Sequence, residues 1–210
     1  MVKTNLIIVP IFVFFVLVIP DVGGAFGLQY TNYTRDKYQI QFQYPSDWLV
    51  QEKPHRFEEG SEIDLSNNKI GSGEIAIHFY NDLLEGFGTT DFDLAFADFY
   101  NGRATDSFDY EYATVKSPSF LNVDDQKTGT FLMMFKQRDE TDPIIIEVQY
   151  WITFVADNGY IIEFMSTPEN FNSSDNIEVR DRFIESINFL GLKNNTESVG
   201  RISTVANFIK

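Results

Sequence analysis

No cysteine occurs among the 210 residues. That excludes a disulfide framework, thiol catalysis, iron–sulfur ligation and thiolate zinc sites together. It also excludes a lipid anchor on an N-terminal cysteine, and it leaves the redox compartment open. Histidine is scarce, with only His55 and His78. A Ser-His-Asp triad must use one of them. No G-x-S-x-G elbow, H-E-x-x-H, Walker loop or Rossmann glycine pattern is present. Zinc chemistry would therefore need a mostly carboxylate ligand set, which is unusual for that metal. Basic residues are few as well, 16 against 31 acids for a net charge of −15. Nucleic acid and anionic headgroups are repelled at long range by such a chain. The surplus fits a soluble surface, cationic partners or weak divalent-ion binding.

Aromatic residues are abundant, at 16% with 21 Phe and 10 Tyr, and imply a large aromatic core. A chain of this length suits one domain and buries roughly 70% of its unfolded surface without staples.

The N-terminus reads as an address. Lys3 precedes an uninterrupted apolar or proline run, LIIVPIFVFFVLVI at residues 6–19, followed by the small residues Gly23, Gly24 and Ala25. A basic start, an apolar stretch and a small-residue exit make a secretory signal over residues 1–25. As a helix the run reaches only ~21 Å, short of the ~30 Å hydrocarbon layer. Cleavage after Ala25 is expected, leaving no transmembrane span; the alternative is an uncleaved N-terminal anchor. Either arrangement places the domain outside the cytoplasm, secreted or on the cell surface. Three N-x-S/T sequons agree with that side, at Asn32, Asn172 and Asn194. All three fall in stretches read as loop or tail, where a glycan could be accommodated.

Tyr38, Ile40, Phe42 and Tyr44 alternate with glutamines, the period of a half-buried strand, and Pro45 ends the ladder. An extended segment resumes at Trp48, Leu49 and Val50, and Ile63 and Leu65 suggest a second short strand. Ile75, Ile77 and Phe79 mark another strand after the turn Gly71-Ser72-Gly73. FDLAFADFY places Phe92, Phe96 and Phe99 on one helix face, with Thr89 or Thr90 as N-cap and Gly102 just past the end. A strand is expected at 110–115, a loop at 118–129, and strands at 130–137, 144–156 and 160–166. Asp157-Asn158-Gly159 reads as the hairpin turn between the last two. A final helix carrying Ile177, Phe183 or Ile184, and Ile187 runs to about Leu190-Gly191 from an N-cap within 172–175. Residues 193–210 form a polar tail. Short hairpins imply an antiparallel sheet, and segregated helices an α+β fold.

Candidate chemistry is thin. Between Asp82 and Glu111 there are eight acids and one base, Arg103, a run able to attract Ca2+ or Mn2+. It lacks EF-hand spacing, and a solvated acidic face explains it better. Asp91 and Asp93 read as helix N-terminal charge. His78 shares a strand face with Glu74 and Tyr80; it reads as a hydrogen-bonded or surface histidine. His55 sits in the charged loop EKPHRFEE. Trp48, after a strand-ending proline, reads as a core plug in preference to a ligand-stacking residue, as does Trp151.

The strand running into Tyr44-Pro45-Ser46-Asp47-Trp48 resembles the Y-P-x-x-W opening of the PsbP-like family, which includes the extrinsic photosystem II subunit. Asp157-Asn158-Gly159, the strand YIIEFMS and the helix closing at Ser186-Ile187-Asn188-Phe189 are similar to that family's C-terminal end. The resemblance covers roughly residues 30–190. It implies a central antiparallel sheet flanked by helices, an α/β/α sandwich, in an extracytoplasmic, non-enzymatic accessory protein. The photosystem branch's role in retaining Ca2+ and Cl− is not carried over. Its basic N-terminal docking segment has no counterpart here, where about ten residues separate the signal from the first expected strand. The family's usual small residue before the Trp is Asp47 here.

The sequence thus points to an accessory protein that binds a protein partner or membrane complex. A Ca2+, Mn2+ or small-ligand binder is the alternative, and a hydrolase built on His55, His78 or a carboxylate pair is a third reading. No cofactor is expected beyond weakly bound Ca2+.

Overall fold

The computed structural model describes residues 27–54, 60–67, 69, 72–81, 83–105, 110–137, 143–156 and 158–190. The expected signal at 1–25, Gly71, His55, Asn194 and the tail at 193–210 lie outside the described residues.

Two antiparallel sheets share one core. The smaller is a hairpin of β1 (Tyr30–Arg35) and β2 (Ile40–Pro45), extended by β10 (Asn188–Phe189). The larger has seven strands: β3 (Leu49–Pro54), β4 (Gly60–Ser66), β5 (Glu74–Asn81), β6 (Tyr110–Val123), β7 (Gln126–Gln137), β8 (Ile145–Val155) and β9 (Asn158–Ser166). Their spatial order is β3-β4-β5-β9-β8-β7-β6. The chain leaves the middle of this sheet after β5, passes through α1 (Leu83–Gly86) and α2 (Phe92–Thr105), and re-enters at the far edge as β6. Three hairpins then bring it back beside β5. After β9, α3 (Pro168–Phe171) and α4 (Ser174–Glu185) return it to the small sheet.

Period two along the strands divides the side chains between two faces. Ile75, Ile77 and Phe79 of β5 and Tyr160, Ile162 and Phe164 of β9 join one core with Phe42, Trp48, Val179 and Phe183. Phe131, Met133, Val148, Tyr150, Ile152 and Ile161 face the other way, under Phe96 of α2. Phe131 and Tyr150 stack at 4.7 Å between ring centroids, with Phe96 6.0 Å from Phe131. This is the expected sheet with helices on both faces; the small sheet shares the α4 side.

Local chemistry sets the helix ends. The Asp91 carboxylate accepts from the N–H groups of Asp93 and Leu94, so the cap of α2 is Asp91 and not a threonine. Thr89 Oγ1 instead accepts from the Asp91 N–H. Gly102 lies inside α2, which runs on to Thr105. Ser173 caps α4 by accepting from the Asn176 N–H, with Asp175 in the first turn and Arg182 in the last.

Other expectations are corrected. β1 occupies a stretch read as loop, so Asn32 is a strand residue facing solvent. β6 continues through Pro118 to Val123, across half of the segment expected as loop; an edge strand tolerates a proline that a central one would not. The β6–β7 turn is Asp124-Asp125, with φ of 46° and 62°. In the β8–β9 hairpin Val155 pairs with Asn158 and Ala156 takes φ 54°, so Asn158 and Gly159 belong to the ladder. α4 ends at Glu185, because Asn188 and Phe189 pair with β2. Its buried stripe is Asn176, Val179 and Phe183, while Ile177 is exposed.

Candidate functional site

The crossing path of α2 leaves part of the sheet bare. α2 covers the β6-β7-β8 half of its face, where Phe96, Phe99 and Tyr100 pack on Phe131 and Tyr150. On the same face the β3-β4-β5-β9 half opens as a cleft of about 400 Å³. Alternation decides its lining. Ile63 and Leu65 point into the core, so Glu62 and Asp64 point out; Ile162 and Phe164 point in, so Glu163 points out. Gln51, Lys53, Ser66, Glu74 and His78 complete the polar set.

These charges face one another. His78 stands opposite Glu62 in the ladder, with Nδ1 3.8 Å from Glu62 Oε2. Its Nε2 lies 3.7 Å from Glu163 Oε1. Both separations exceed hydrogen-bond length and suit an ion pair on protonation. Arg103 of α2 reaches across to donate to Glu163 Oε1 at 3.1 Å, and its guanidinium lies over Phe99 and Tyr150. Glu163 is buried, and a buried carboxylate needs such a partner. Lys53 pairs with Asp64 on the rim. Tyr80 borders the cluster. Burial raises its phenol above the ordinary range; Arg103 pulls it down, and Glu163 and Glu62 push it up.

Among the described residues no group of three or more His, Asp or Glu side chains is arranged to hold a metal ion. Among the described residues of the acidic run, Asp91 caps α2, Asp93 pairs with Lys127, and Asp98 is exposed. Trp48 and Trp151 are both buried in the α4-side core, which is the packing role expected of them. The Trp48 N–H donates to Pro45 O at 3.0 Å, and Asp47 pairs with Lys69 at 2.6 Å. Asn32 and Asn172 are exposed, the latter as C-cap of α3. Sequence reasoning singled out His78 and Glu74 and missed Glu62, Asp64, Glu163, Arg103 and Lys53 as its neighbours. One signal was available, a lone acid inside the apolar strand YIIEFMS. A carboxylate there is costly without a partner, so it flags one.

No protein-family model matches the chain, and no curated protein matches it. Among solved structures, the chain is similar to cyanobacterial PsbP (CyanoP) from Synechocystis sp. PCC 6803, at 12% identity and a TM-score of 0.57, over 80% of this chain and 96% of that one. A Bacteroides thetaiotaomicron VPI-5482 protein matches at 13% identity and a TM-score of 0.46, over 75% of this chain and 47% of its own. The fold is thus PsbP-like. Among the described residues no helix is long and apolar enough to cross a membrane.

Proposed function

We propose that this chain is a non-catalytic accessory protein, extracytoplasmic or membrane-extrinsic, that docks a basic segment of a protein partner on the open half of its large sheet. The observation that carries this reading is the mutual commitment of the cleft's charges. Both ring nitrogens of His78 face carboxylates, and Arg103 takes Glu163. A general base needs a nitrogen within hydrogen-bond reach of its substrate, and this ring points neither one away from the cluster. The hydrolase reading gains nothing from that arrangement.

Four carboxylates, Glu62, Asp64, Glu74 and Glu163, against two fixed cations, Lys53 and Arg103, leave a surplus of two negative charges with His78 neutral. A whole-chain charge of −15 adds long-range attraction for a basic partner. Complementary charge of this kind contributes specificity and association rate more than raw affinity. The PsbP-like fold supports the accessory role, and the apolar N-terminal run supports the compartment.

The test is capture. Immobilised protein is incubated with native membranes at low ionic strength; one portion is washed with rising salt, and a second portion is lightly crosslinked before washing. A defined protein that elutes by about 1 M salt, where screening acts within about 3 Å, is the expected result. Recovery of no partner under crosslinking would overturn the reading.

A further inference from the structure

Strand β6 forms one edge of the seven-stranded sheet and, among the described residues, pairs with β7 alone. Residues 111–122 are exposed, with Tyr112 41% and Val115 50% accessible. Such an edge presents unpaired N–H and C=O groups to any strand that fits it.

The edge is self-complementary. Between Tyr110 and Ser117 it carries one acid, Glu111, and one base, Lys116, in a chain of net charge −15. The ladder to β7 skips Val115, since Thr114 opposes Met133 while Lys116 opposes Leu132. That bulge has a definite effect on facing. Glu111, Ala113 and Lys116 oppose Lys136, Met134 and Leu132, alternate residues of β7, so all three share one face of the sheet. With Thr114 and Val115 counted as one position, the segment is centred on Ala113. Glu111 and Lys116 then stand two positions out on either side, with Tyr110 and Ser117 next in line, the latter inside a second register shift between Lys116 and Ser119. Pro118, which has no N–H to give, lies immediately beyond.

We propose that a second copy of this chain pairs antiparallel with β6 about a two-fold axis through Ala113, continuing the sheet across the dimer. Each Glu111 then opposes the partner's Lys116, twice by symmetry, and Tyr112 lies against the partner's Thr114 and Val115. The small Ala113 side chains meet on the axis. The joint ladder ends at Pro118 where the partner's strand begins. Lysine, proline and a bulge usually guard an edge. Here the lysine meets an acid only on a strand like its own, so the same devices that reject unrelated strands accept a copy.

Sedimentation of the full chain across micromolar concentrations tests this. A monomer–dimer equilibrium is expected. Glu111→Lys and Lys116→Glu should each weaken it by about tenfold, since each places like charges opposite one another. The double variant, with the charges exchanged, should return to the parent equilibrium. The absence of cysteine allows a second readout. Ala113→Cys should oxidise to a disulfide-linked dimer far faster than Asp175→Cys, placed on exposed α4. A chain that stays monomeric would overturn the proposal. So would a dimer indifferent to the single charge reversals, a double variant no better than the singles, or crosslinking at 113 no faster than at 175.

Discussion

Gly129 shows how tightly single atoms set the face that α2 covers. A Cβ built there would lie 2.5 Å from Phe96 Cδ2 and 2.8 Å from Cγ, ring atoms close to their own backbone. Phe96 is buried and contacts Phe131 and Phe120, so it has little room to give way. Gly129→Ala is therefore expected to destabilise the fold by about 1–3 kcal/mol, the usual cost of overpacking. At this chain length that lowers the melting temperature by roughly 2–4 °C per kcal/mol, which calorimetry would read directly. Individual residues were legible in the sequence where one local rule decides them. Pro45 stops β2, Trp48 plugs the core, and the phenylalanine spacing of α2 marks its buried side. Gly129 was not legible, because its constraint comes from a helix more than thirty positions away in sequence.

Elements are held in place by a few buried polar links. Asn176 of α4 accepts from the Gly73 N–H at 2.9 Å and donates to Ser166 Oγ and Asn170 O. It ties the helix to the loop before β5 and to the end of β9. Asn176→Ala strands the buried Gly73 N–H, and a loss of about 1–3 kcal/mol is expected in denaturant unfolding. Glu52, an exposed residue, plays the matching part between the sheets. Its carboxylate accepts from Arg35 Nε at 2.6 Å, from the Tyr33 hydroxyl at 3.0 Å and from the Tyr38 hydroxyl at 3.3 Å. The Arg35 hydrogen bond is the largest influence and holds this carboxyl below its usual range; burial opposes it and the tyrosines reinforce it. Such a group adds stability above the ordinary carboxylate range and loses it as pH falls through the lowered folded-state value. Glu147 has the opposite sign, raised first by burial and then by Glu169. Its folded state favours the neutral form, so its penalty is absent in acid and grows as pH rises through the raised value. Melts between about pH 3 and neutrality should show Glu52→Gln less stable and Glu147→Gln more stable than the parent at neutral pH, with both differences shrinking in acid.

The elements that escaped sequence reading share a cause. β1 and the second half of β6 are edge strands with little burial to impose alternation, and β10 is two residues long, too short to show a period although Phe189 is buried. β5, β7, β8 and β9 lie in the interior of the large sheet, and their apolar patterns announced them.

For the molecule as a whole, topology makes the site. The passage from central β5 to edge β6 lays α2 over one half of a sheet face and leaves the other half open. Alternation on β4 and β9 could place Glu62 and Glu163 on a surface, but only the order β4-β5-β9 brings them to either side of His78. Strand order is a long-range property, so the antiparallel α+β class was readable and the cleft was not. The charge balance, by contrast, is additive along the chain and needed no structure.

The proposed docking of a partner on the open, carboxylate-rich half of the sheet rests on charges that substitution can remove. Glu62 and Glu74 line that cleft, and Glu62→Gln/Glu74→Gln removes two of its negative charges while leaving the Arg103–Glu163 pair intact. Quantitative capture from native membranes, comparing this variant with the parent at matched ionic strength, is the most direct measurement. The parent is expected to retain a defined protein which the variant loses, with both chains melting alike. Equal retention by the two would contradict it.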